Sequence, residues 1–185
     1  LMALRTLVRL TCVESNQALL WLSDETREAL VDAATKASPS AMKGLALRAL
    51  ANLSCLEANL NVIWCHEKLR NALVDCIEAK YLWSRIDDAN AQRLFQTARE
   101  TCAAQAPKHD EKEAEAACQA LRAIANLSTE EGVRDAITQD ARAVAAVVNA
   151  AGAGVVQGPR VQALRCMANL VCETSARKSL WRQKG

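Results

Sequence analysis

Four arginines stand four residues ahead of a recurring position: Arg5 before Arg9, Arg48 before Asn52, Arg122 before Asn126 and Arg165 before Asn169. Residues i and i+4 share a helix face, so in each segment a guanidinium and the side chain after it would stand one above the other. Arginine presents a planar fork of five donors that fits a carboxylate or a phosphate. Helices stack about 8–10 Å apart and an extended chain advances about 3.3 Å per residue, so successive arginines would meet such a chain about every two to three residues. The pattern points to recognition of an extended acidic or phosphorylated segment rather than to a reaction. Two structural readings compete with it. Arginine also serves as a good helix former on any exposed face and pairs with local glutamates, and asparagine, poor in mid-helix, can be retained by a bond between neighbouring segments.

Other chemistry is weakly represented. Cys65 and His66 are adjacent, which sets their side chains about 100° apart on a helix and unsuits them to joint metal ligation, and His109 lies in the charged run from Lys108 to Glu113. Gly152-Ala153-Gly154 with Gly158 imitates a dinucleotide loop but follows a helical pattern instead of a strand, so it reads as a connection. There is no nucleophile elbow, zinc-protease motif or phosphate loop. No catalytic residue, metal ligand, cofactor or small-molecule substrate is therefore assigned. An enzyme would have to draw on Cys102 or His109 of the inserted stretch described below.

The elements that must carry the arginines repeat. ALRALANLSCLE from Ala46 recurs as ALRTLVRLTCVE from Ala3, ALRAIANLSTEE from Ala120 and ALRCMANLVCET from Ala163. A step of 43 residues separates the first pair and the last pair, and the middle step is longer by 31. A fixed period in the low forties with helical patterning marks a two- or three-helix repeat unit. Each copy leads into a short helix carrying Leu20-Trp21, Ile63-Trp64, Ile137 or Leu180-Trp181, and then a second one through Ala29-Leu30-Val31, Ala72-Leu73-Val74 or Ala146-Val147-Val148. Breaks at Ser38-Pro39-Ser40 and Gly158-Pro159 precede the next copy, since proline suits a helix's first turn. Thr11 to Glu14, Ser54 to Glu57 and Ser128 to Glu131 match the capping box and predict hydroxyl caps for the helices that follow. The tryptophans are expected in the core. The extra residues fall within 78–109, an insertion expected to hold one further helix, and Tyr81 and Trp83 within it are a candidate interface outside the repeat pattern.

ALRALANLS, ALRAIANLS and ALRCMANLV resemble the third-helix motif of armadillo repeats, and a three-helix unit near 42 residues is similar to that family. The resemblance implies an all-α, right-handed α-α superhelix of armadillo or HEAT-like type, with about four copies, partial at both ends, in a single domain spanning 1–185. The partial copies predict a fragment of a longer chain, or ends covered by partners. The glycine usual between the first and second armadillo helices is missing from WLSDETREAL, WCHEKLRNAL and ITQDARAVAA. The family's third helices line a concave groove for extended peptides, and its motif asparagine grips the partner's main chain. Carried over, that role falls on Asn52, Asn126 and Asn169, with Arg9 departing from the pattern. Nuclear-import adaptors of the family hold basic signals with tryptophans where this chain has Arg5, Arg48, Arg122 and Arg165. The groove expected here has the opposite sign, as in the catenin-like branch.

The expected function is therefore a non-enzymatic protein-interaction scaffold. The alternatives are a structural subunit among neighbours in a large complex and, with less support, a nucleic-acid-binding solenoid, for which a net charge of +2 is too mild to argue. No stretch reaches the roughly 18–20 apolar residues of a membrane span. Eight cysteines contain no CxxC pair, and Cys12, Cys55 and Cys172 share one repeat position. They read as buried thiols, which implies an intracellular reducing compartment: cytoplasm, nucleus or an organelle interior.

Overall fold

The computed structural model describes residues 1–35, 38–81, 109–152 and 157–172, with the side chains of residues 80, 81, 109 and 110 left aside. Among the described residues the fold is all-helical. The helices are α1 (Met2–Leu10), α2 (Glu14–Leu22), α3 (Asp24–Ala34), α4 (Ser40–Leu53), α5 (Glu57–Cys65), α6 (Glu67–Tyr81), α7 (His109–Leu127), α8 (Glu131–Gln139), α9 (Ala141–Ala151) and α10 (Gln157–Leu170). Thus α1, α4, α7 and α10 carry the four sequence copies. Each of the first three is followed by a nine-residue helix, α2, α5 or α8, and then by a longer one.

Equivalent helices are neighbours. Helix α1 lies against α4, α4 against α7 and α7 against α10; α2 meets α5 and α5 meets α8; α3 meets α6 and α6 meets α9. The composition of α4 suits a helix enclosed on several sides: Ala46, Leu47, Ala49, Leu50, Ala51 and Leu53 are all buried, and Arg48 alone in this run is exposed. Small alanines between the leucines permit close approach of the flanking helices, and the leucines fill the space between them. In α7, Ala120, Leu121, Ala123, Ile124, Ala125 and Leu127 repeat this pattern. Trp21 and Trp64 are buried as expected, each beneath an arginine, Arg27 or Arg70, at 5.9 Å.

The turn between the first and second helices needs no glycine. A single extended residue makes it each time: Ser23, His66 or Asp140. Ser23 Oγ accepts from the Thr26 amide at 3.3 Å, His66 Nδ1 from the Leu69 amide at 3.4 Å, and Asp140 Oδ1 from the amides of Arg142 and Ala143, each at 3.1 Å. These side chains satisfy amides that a helix start leaves without partners, which fixes the bend. His66 is thereby explained as a cap. Pro39 and Pro159 stand at the starts of α4 and α10, where a missing amide hydrogen costs nothing.

Two sequence expectations fail here. The capping boxes do not form at α2 and α5, whose N-caps are Val13 and Leu56 without side-chain bonds, and at α8 the cap is the Glu130 carboxylate accepting from Val133. The hydroxyls instead point backwards, Thr11 donating to the Val8 carbonyl, Ser54 to Ala51 and Ser128 to Ala125, at 2.8–2.9 Å. They close the preceding helix because the next one starts beyond their reach. The second correction concerns Cys12, Cys55 and Cys172, which are exposed; among the described residues Cys166 is the buried thiol. One residue past the buried hydroxyl, the chain has already turned outward.

Within the range assigned to the insertion, α6 runs on to Tyr81 and α7 begins at His109, while the helix expected between them, Trp83 and the side chain of Tyr81 lie outside the described residues. No described helix is long and apolar enough to cross a membrane. The apolar residues left open include Leu10 and Leu164, whose counterparts Leu53 and Leu47 are enclosed.

This contrast sets an expected outcome. Leu47→Ala should lower the unfolding free energy by about 2–5 kcal/mol, whereas Leu164→Ala, at a position 47% exposed, should cost less than about 1 kcal/mol. Equal losses in urea denaturation would contradict the packing described.

Candidate functional site

The four sequence copies place the arginines at one level of four neighbouring helices. Arg5, Arg9, Arg48 and Arg165 are exposed and Arg122 is half-buried. Among the described residues none of the five forms an ion pair; the one bond any of their side chains makes is a long one, 3.5 Å, from Arg122 Nη1 to Gln119 Oε1. Among the described residues, the arginines away from this row, Arg160 apart, behave differently. Arg27 is paired with Asp24, Arg70 with Asp140 at 3.9 Å, and Arg142 with Asp75 and Glu78 at 2.7 and 2.5 Å; Arg134 donates to the Thr129 carbonyl at 2.7 Å. The Arg142 pair ties α9 to α6, and its bonds to Glu78 and then Asp75 hold the guanidinium firmly charged. Glutamate pairing therefore does not account for the row.

Helices α1, α4 and α10 carry cations and no carboxylate: Arg5 and Arg9, Lys43 and Arg48, and Arg160 and Arg165. Helix α7 differs, with Glu111, Glu113 and Glu115 ahead of Arg122. Helices α1, α4 and α10 thus contribute only cations, while Glu111 and Glu115 of α7 line the crevice that Arg48 also lines.

The asparagines turn elsewhere. Asn52 and Asn126 are buried, and their side-chain amides reach the end of the preceding third helix. Asn126 Nδ2 donates to the Ala51 carbonyl at 3.0 Å and to Ser54 Oγ at 3.2 Å; Asn169 Nδ2 repeats this on Ala125 and Ser128, both at 3.0 Å. Asn52 Nδ2 meets Thr11 Oγ1 at 3.1 Å and Cys12 Sγ at 3.4 Å. Each hydroxyl gives its proton to its own helix and offers a lone pair to the next, so both partners of a buried polar pair are satisfied. The α4, α7 and α10 amides are therefore bonds between copies. Their Oδ1 atoms accept no hydrogen bond among the described residues, which leaves an acceptor beside the arginines.

Asn59 and Gln17 are polar contributors that the sequence reading missed. Asn59 Nδ2 and Gln17 Nε2 donate at 3.0 Å to the carbonyls of Leu53 and Thr11, joining each short helix to the end of the third helix before it. Their signal was available in the spacing, six residues after the carbonyl each time. Among the described residues no group of three or more histidine, cysteine or acidic side chains could hold a metal. Cys102 and the side chain of His109 lie outside the described set. No family model, curated protein or solved structure matches the chain.

Removing a partner from a buried polar pair costs about 1–3 kcal/mol. Asn126→Ala should therefore destabilise the fold by that amount in thermal or urea unfolding. A variant as stable as the parent would show that the amide bonds do not hold the copies together.

Proposed function

We propose that the chain is an armadillo-type helical solenoid that acts as a protein-interaction scaffold, holding an extended acidic or phosphorylated segment of a partner protein along its third-helix face. The observation that carries this reading is the row Arg5, Arg9, Arg48, Arg122 and Arg165, left without carboxylate partners on one face while Arg27, Arg70 and Arg142 are paired. Arginine suits the role because its fork binds carboxylate and phosphate in two-point geometry. An exposed ion pair contributes only about 0.2–1 kcal/mol, so affinity depends on several rungs engaging one partner. Asn52, Asn126 and Asn169 contribute through Oδ1, which can accept a main-chain amide, because their amide hydrogens are engaged between copies.

A second reading, a subunit packed among neighbours in a larger complex, is favoured by the short helices, where the exposed Leu22 and Val62 line one crevice with Trp21. Both readings describe a binding protein without catalysis, and they differ in which face is occupied.

Fluorescence anisotropy with a labelled poly-glutamate peptide separates them. Replacing Arg48 and Arg165 by Glu should weaken binding by roughly tenfold or more, as two attractive pairs become repulsive, and raised salt should weaken the parent likewise. Affinity unchanged by the double substitution would remove the arginine face from the account.

A further inference from the structure

Cys12 and Cys55 occupy equivalent places, each directly after the buried hydroxyl that closes a third helix, and both are exposed. They also share a space. A crevice of about 480 Å³ between the ends of α1 and α4 is lined by both thiols, by Glu14 and Gln17 of α2, by Asn52, and by Arg122 reaching from α7. The Asn52 amide lies 3.4 Å from Cys12 Sγ. Arg122 has no carboxylate partner among the described residues, and Glu14 is an exposed acid on the first turn of α2, where water and the helix start temper its charge. The remaining described thiols differ. Burial pushes Cys76 up to about 11 and Cys166 up to about 12 and raises Cys118 as well, which keeps them protonated and unreactive, while the exposed Cys172 lines no crevice with a second thiol and Arg122. Cys65 is exposed, but lies in a more apolar crevice beside an arginine, Arg27, that Asp24 already pairs.

We propose that the crevice between α1, α4 and α7 is a thiol-modification site for small anionic disulfides, of which oxidised glutathione is the type, and that the adduct excludes the acidic partner from the arginine face. The second half rests on the function proposed above. In the exchange, the thiolate of Cys12 or Cys55 attacks one sulfur of the disulfide; a protein–glutathione S–S bond forms, the original S–S bond breaks, and the departing thiolate takes up the proton the cysteine released. No further oxidant is required. The glutathionyl group brings two carboxylates and one ammonium. Arg122 supplies the two-point partner for a carboxylate, which draws the anionic reagent in and is then withdrawn from any peptide.

The test exposes the whole chain to oxidised glutathione and, separately, to cystamine, a cationic disulfide, and follows adducts at Cys12, Cys55 and Cys65 by peptide-mapping mass spectrometry. Glutathione should add at Cys12 or Cys55 roughly threefold or more faster than at Cys65, cystamine should show no such preference, Arg122→Gln should abolish it and Arg122→Lys should retain it. Equal rates at the three cysteines with both reagents, or a cystamine preference at Cys12 and Cys55, overturns the site. Binding of the poly-glutamate peptide should fall roughly tenfold in the adduct and persist under glutathione in the Cys12→Ser, Cys55→Ser double variant. An adduct that binds the peptide undiminished overturns the exclusion. An unmodified chain that never binds the peptide overturns the proposed function instead, leaving the thiol site to stand on its mapping.

Discussion

One contact recurs wherever two copies meet: the side-chain amide of Asn52, Asn126 or Asn169 bonded to the closing turn of the helix before it. Helix ends leave carbonyls without partners, and asparagine in mid-helix is otherwise a liability. The two deficits meet and cancel. Because each hydroxyl already donates to its own helix, it can only accept from the neighbour, so the bond has one direction and one register. A slip by one residue would leave the buried amides of Asn52 and Asn126 without partners, at a cost of about 1–3 kcal/mol each against a domain's small net stability.

That register has a consequence one helical turn away. With Asn126 held against Ser54 and Asn169 against Ser128, Arg122 and Arg165 sit at corresponding heights on their helices, as does Arg48. In α4 and α7 the residues between arginine and asparagine are enclosed, so there the guanidinium is the part of the motif that reaches water. Hydrophobic burial supplies most of the stabilisation and no directionality. The polar ladder adds alignment, and the pairing of Arg142 with Asp75 and Glu78 adds a second tie between α6 and α9 on another side. The arginine row is what remains once these internal demands are met.

Much of this was legible in the sequence. Spacing alone located the helices of the four copies, the short and longer helix after each of the first three, the buried Trp21 and Trp64 and the proline starts, because periodicity reports directly on which side of a helix is dry; Trp181 and its helix lie outside the described residues. It did not report where the neighbouring helix lies. Asn52 and Arg48 share a face by spacing, yet one is enclosed and the other open, since the boundary of the next helix falls between them. The same gap explains Cys12 and Cys55, whose repeat position looked buried but lies one residue beyond the last enclosed turn. Thr11, Ser54 and Ser128 matched a capping motif that requires the hydroxyl at the new helix's cap, and the chain placed Val13, Leu56 and Glu130 there. Ser23, His66 and Asp140 were passed over because glycine was sought where a polar cap does the same work.

The central claim is that the motif divides its labour, with amide hydrogens binding copy to copy and guanidinium hydrogens left for a partner. Side-chain ¹H–¹⁵N NMR during titration with an acidic peptide observes both groups at once. The account expects the arginine Nε–H signals of Arg48, Arg122 and Arg165 to shift while the Asn52 and Asn126 NH₂ protons keep their protection from exchange with water. Asparagine NH₂ protons that lose this protection while the arginine signals remain unchanged would contradict it.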